Sequence, residues 1–157
     1  MTTLEQTIEM IEDSDTKLFF RNDLNGIEAC ALRMKKKNIN CFGDVGKDYD
    51  GDKAIFIETN DSRTATRTNT LLLHEFAHLE CPRTMYDLET SIYARKRRET
   101  KVNNFMIKEF IPVKTLSRML KNNIPVYLIA EELMIEEETI KKAIHLYKEN
   151  GLLDELL

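Results

Sequence analysis

Between Thr70 and Pro82 the chain reads Thr-Leu-Leu-Leu-His-Glu-Phe-Ala-His-Leu-Glu-Cys-Pro, and this stretch limits the possible fold more than any other. Leu72, Phe76 and Leu79 recur at helical spacing, and Pro82 stops the helix they define. His74 and His78 lie four residues apart, so they share one edge of that helix, away from the apolar edge. A helix with one greasy edge and one imidazole-bearing edge belongs at the margin of a core. The rest of the chain has to supply an apolar partner for the first edge and a chemical partner for the second.

The composition supports this. At 157 residues with 42% apolar side chains, the chain is long enough for one domain, or one domain with a small appendage. No apolar run approaches the roughly 20 residues that cross a bilayer. The start, MTTLEQTIEMIEDSDTK, is acidic and amphipathic, unlike a secretory signal. Cys30, Cys41 and Cys81 are odd in number and scattered, which points to a reducing, cytoplasmic setting and not to a disulfide framework. A net charge of −4 disfavours nucleic acid as the default partner.

Apolar spacing predicts a first helix over residues 1–12 and a short strand over Lys17–Arg21. A turn follows at Asn25-Gly26, and Ile27–Lys37 reads as a helix through Ile27, Cys30, Ala31 and Met34. Ile39–Phe42 and Ala54–Thr59 read as neighbouring strands or a hairpin across a polar loop. Asp61 or Ser62 is the expected cap of the histidine helix. A long helix is expected from about Asp87 to Phe110, stopped by Pro112, then shorter ones over Val113–Lys121, Pro125–Met134 and Glu137–Asn150. The fold class is α+β, with a boundary near Pro112: residues 1–111 form the main domain, and residues 112–157 a helical extension packed on it.

His74-Glu75-Phe76-Ala77-His78 is an H-E-x-x-H sequence. Two imidazoles one helical turn apart can grip one Zn²⁺, and the Glu between them can accept a proton from water activated there. A catalytic zinc also needs a third protein ligand and one open position. Glu99, 21 residues after His78 on the next helix, is the best placed, and Asn103, one turn on, can brace Glu99 or a histidine. Glu80, Asp87 and Glu89 compete for the ligand role less well, and His145 in the last helix reads as a surface or packing residue. Cys81 reads as a small apolar residue at a helix end.

These residues resemble the ImmA/IrrE family of bacterial, phage and mobile-element metallopeptidases. The resemblance rests on the run from Thr70 to His78, on Glu99-x-x-x-Asn103-x-Phe105, and on Phe110-Ile111-Pro112 just beyond. Departures from the family pattern are Ala77 for the usual Gly, Val102 and Met106 for Ala, and Glu109-Phe110 for a leucine pair. The resemblance implies a zincin-like domain in which His74, His78 and Glu99 ligate zinc, Glu75 is the general base and Asn103 supports the ligands. It also implies a cytoplasmic protease that cleaves a helix-turn-helix repressor and so induces a prophage, a mobile element or a stress regulon. The alternative is a non-catalytic metal-binding regulator that acts on a repressor by binding alone.

A narrow protease needs docking surface. Ala54–Thr59, just before the zinc helix, is a candidate for pairing with an extended substrate segment. Residues 124–147 read like a helix-turn-helix, but the second helix opens Glu136-Glu137-Glu138, and residues 113–157 carry six basic against eight acidic side chains. Phosphate repulsion argues against direct DNA binding, so the block reads as packing or protein docking. Arg95-Lys96-Arg97-Arg98 gives residues 83–101 a net +3 and reads as a solvated helix face that can steer acidic substrate. Residues 1–24 sum to −4 and are a candidate to fold onto that basic helix. Tyr49, Tyr86, Tyr93 and Arg83 are candidates to stabilise an oxyanion. Oligomeric state is not legible.

Overall fold

A computed structural model of the chain describes residues 3–33, 53–82 and 91–154. In chain order these form α1 (Leu4–Asp13), β1 (Thr16–Arg21), β2 (Ala29–Arg33), β3 (Lys53–Glu58), α2 (Ala65–Glu80), α3 (Ile92–Phe110), α4 (Val113–Lys121), α5 (Val126–Leu133) and α6 (Glu137–Glu149). The architecture is α+β: one mixed three-stranded sheet with helices.

The strand order is β1-β3-β2, with β3 parallel to β1 and antiparallel to β2. Between β1 and β2, Asn25 and Gly26 both adopt positive φ, at 51° and 85°, the conformation that Asn-Gly pairs supply at little steric cost. The turn leaves room for β3 to insert between the two earlier strands. β3 is accordingly buried from Ala54 to Ile57.

This placement corrects two sequence expectations. The segment read as a helix over Ile27–Lys37 contains strand β2, which pairs Ala29 with Ile57 and Ala31 with Ile55. Its Ala-Cys-Ala-Leu stretch alternates sides: Ala29 and Ala31 pack with Ile55 and Ile57, while Cys30 and Leu32 pack with Ala54 and Phe56. Residues i and i+3 looked like a helical stripe because nearly every residue there is apolar. The other correction concerns Ala54–Thr59. β3 has a neighbour on both sides, so its backbone groups are not free to receive a substrate strand; β1 and β2, each paired only with β3 among the described residues, are the edges. The strand expected at Ile39–Phe42 lies outside the described residues.

α1 and α2 cover one face of the sheet. Ile11 of α1 and Leu72, Phe76 and Leu79 of α2 join Ile55 and Ile57 in one buried cluster. α1 thus packs against α2 and β1, not on the basic helix. It begins with a reciprocal Thr3–Gln6 capping box. The opposite edge of α2, Leu73 and Ala77, joins a second cluster running through Val102 and Met106 of α3 to Ile129, Ile140 and Tyr147 of α5 and α6. α2 is therefore the shared wall between the sheet and the C-terminal helices. Thr64 caps it, accepting from the Arg67 N–H at 3.1 Å, whereas Asn60 closes the preceding turn onto Ser62; neither Asp61 nor Ser62 is the cap. α3 starts at Ile92 behind a Ser91 cap, later than the Asp87 read from the sequence, with residues 83–90 outside the described set.

The α5–α6 turn is locked to α2 by polar contacts. Buried Asn69 receives the Thr7 hydroxyl and donates to the Met134 carbonyl, Thr70 accepts from the Glu136 N–H, and Arg67 pairs with Glu136 and Glu28. Among the described residues, no helix is long and apolar enough to cross a membrane.

Candidate metal centre

Helical spacing carries His74 and His78 to the same side of α2, their rings edge to face with centroids 4.8 Å apart. Because α2 buries Leu72, Phe76 and Leu79 on the sheet, this side is turned toward α3. There Glu99 meets both histidines: one carboxylate oxygen is 2.8 Å from His74 Nε2, the other 3.2 Å from His78 Nε2. The two Nε2 atoms are 3.2 Å apart. Among the described residues, His74, His78 and Glu99 form a group able to hold a metal ion.

The residues fit zinc by spacing and by chemistry. A tetrahedral ion with bonds of about 2.0–2.2 Å separates its ligand atoms by about 3.3–3.5 Å, slightly wider than the 2.8–3.2 Å here. With both rings in the Nδ1–H tautomer that leaves Nε2 free to ligate, two imidazole lone pairs and a carboxylate would all aim at one point, an arrangement that needs a proton or a cation at its centre. Without metal, the proton takes that part. Burial is the largest influence on His74 and favours its neutral ring, yet the bond to Glu99, the charges of Glu75 and Glu99, and a hydrogen bond with Asn103 together carry its pKa upward. Hydrogen bonds from His74 and then His78 hold the Glu99 carboxyl far below the ordinary carboxylate range, outweighing its partial burial.

Glu75 lies on the inner side of the same helix, and burial pushes its carboxyl up. The rings of His78 and His74 oppose that shift, Glu99 adds to it, and a backbone hydrogen bond from Ala31 of β2 opposes it. The edge strand therefore touches the carboxylate between the two histidines. A helix over this segment leaves the neighbour out, and the unbroken apolar run Ala29 to Leu32 fits either period.

The competitors sit elsewhere. Glu80 pairs with Lys53 at 2.9 Å and His145 with Glu149 at 3.1 Å, both near the surface. Cys81 is buried at the end of α2 and is not part of the metal group. Tyr93 is exposed on the first turn of α3, while Asp87, Glu89, Tyr49, Tyr86 and Arg83 lie outside the described residues.

One neighbour of the site, Arg98, belongs to the basic run Arg95-Lys96-Arg97-Arg98. Arg98 donates from Nη2 to the His78 and Cys81 carbonyls, each at 3.2 Å, and from Nη1 to the Pro82 carbonyl at 3.1 Å. A sequence signal for it exists: Pro82 stands four residues after His78 and has no N–H to give that carbonyl. No family model, curated protein or solved structure matches the chain.

Proposed function

We propose that the chain is a zinc-dependent endopeptidase with a zincin-like domain, akin to the ImmA/IrrE proteins, acting in the cytoplasm on a helix-turn-helix transcriptional repressor. The observation that carries this reading is the meeting of Glu99 with His74 and His78 while Glu75 stands beside them against the edge strand. His74, His78 and Glu99 would hold the metal, and Asn103 would steady the His74 ring. When bound, zinc supplies a Lewis acid that acidifies water and polarises a carbonyl.

Glu75 takes the proton of the attacking water and returns it to the departing amine nitrogen. Its raised pKa moves the carboxylate nearer to neutrality, where a proton shuttle works in both directions. An extended segment laid along β2 would bring its backbone past Glu75, since β2 has an edge without a described strand partner.

A repressor is a protein partner, and two features favour reading the C-terminal helices as structure and docking surface over DNA contact. The start of α6 is tied to α2 through Arg67 and Thr70, so the end that would enter a groove is already engaged. That start is also acidic, with Glu137 and Glu138 in its first turn.

The test is to express the wild type and Glu75→Gln in a bacterial host and map protein N-termini. The expected result is new termini within a helix-turn-helix protein for the wild type alone. Identical termini in both strains would remove the protease reading and leave a regulator that acts by binding.

A further inference from the structure

We infer that Arg98 is a positioning residue for the metal centre, setting the register of α3 on α2 so that Glu99 reaches the two histidines; this rests on the metal-binding reading above. The last carbonyls of any helix lack intrahelical donors. At the end of α2 the shortage falls on a proposed ligand itself, because the residue that should donate to the His78 carbonyl is Pro82. Arg98 supplies the missing donor, and its planar fork reaches the Cys81 and Pro82 carbonyls at the same time. The positive charge also lies at the negative end of the α2 dipole.

Arg98 and Glu99 are adjacent, so on α3 they point about 100° apart. One grips the backbone at the end of α2, and the other meets the imidazoles on its side. These two attachments limit both the sliding and the rolling of α3 against α2. With the grip gone, the apolar contacts of Val102 and Met106 still hold the helices together, but they are non-directional and leave the carboxylate free to drift by fractions of an ångström. A drift of that size matters to a ligand atom and little to a core.

Zinc affinity, measured by competition with a chromophoric chelator, tests the assignment alongside the visible spectrum of the Co²⁺-loaded protein and the melting temperature of the metal-free protein. Arg98→Met should weaken zinc binding about 10- to 100-fold and alter the Co²⁺ bands, and Arg98→Lys should recover part of both. Tyr147→Phe separates positioning from stability. It removes the hydroxyl whose one hydrogen serves the Ile111 carbonyl at 2.7 Å, with the Ile107 carbonyl at 3.3 Å, at the far end of α3, so it should lower the melting temperature while leaving zinc affinity and spectrum as in the wild type. Unchanged affinity and spectrum in Arg98→Met, or an equal loss of affinity in Tyr147→Phe, would overturn the inference alone. A wild-type chain that takes up no zinc would overturn the metal reading and this inference with it.

Discussion

Glu99 stands 21 residues beyond His78 in the chain, yet its carboxylate lies 3.2 Å from the His78 imidazole and 2.8 Å from that of His74. The contact joins two helices that also meet through apolar side chains and through Arg98 on the carbonyls at the end of α2. An acid among imidazoles at this spacing is more useful as a ligand set than as a stabilising ion pair, since the carboxylate is half exposed and screened by water.

Loss of any one ligand should therefore empty the site. The purified wild type is expected to carry about one zinc per chain by elemental analysis, with His78→Ala and Glu99→Ala carrying close to none, since three protein ligands are the usual minimum for a catalytic zinc. Zinc retained in Glu99→Ala would move the third ligand elsewhere.

Glu75→Gln should behave in the opposite way. It leaves all three proposed ligands in place and takes a half-buried carboxylate out of the protein, so metal content and melting temperature should match or exceed the wild type. Peptide cleavage, followed by mass spectrometry on the substrate found by N-terminal mapping, should fall by about 10²- to 10⁴-fold.

Acidity should separate the metal-free and the metal-loaded protein. The His74 pKa is raised in the folded chain, so its contribution to metal-free stability is complete below the ordinary histidine value and fades as pH rises through the folded one. Glu99 is lowered, so its contribution is present above the ordinary glutamate value and disappears only in strong acid. The pair therefore stabilises the metal-free protein across the mildly acidic range and less so in base. Zinc has to displace the His74 proton, so its affinity should climb with pH over the range where metal-free stability declines. Melting curves from pH 5 to 9, with chelator and with zinc, would reveal a zinc-induced shift that grows with pH; a flat shift would show that the histidines are not the ligands.

Asn69 has a structural task that can be measured without metal. Asn69→Leu leaves the Met134 carbonyl without its amide donor and the Thr7 hydroxyl without its acceptor. Each buried polar group stranded in this way costs about 1–3 kcal/mol. Calorimetry should show the melting temperature falling by roughly 4–24 °C in a chain of this size, with the zinc content of the folded fraction unchanged.

What could be read from the sequence was local. His74 and His78 share an edge because four residues make about one helical turn, and Pro82 and Pro112 end helices wherever they occur. The helices of residues 113–149 were legible for the same reason: each carries its own apolar repeat and its own stop. β2 was not, because four apolar residues in a row, Ala29 to Leu32, fit both periods, and the choice depends on whether β3 offers hydrogen-bond partners. The central place of β3, and hence which strands lie at the edges, is likewise a matter of distant pairing. Glu99 lies between the two cases: the sequence nominated it among several acids, but only the crossing of α3 on α2, with Arg98 on the end of one helix and apolar contacts along both, brought its carboxylate to the histidines. Residue type and short spacing determine which chemistry is available, whereas the meeting of groups far apart in the chain is decided by packing, where the burial of α2 against the sheet leaves its histidine edge facing α3.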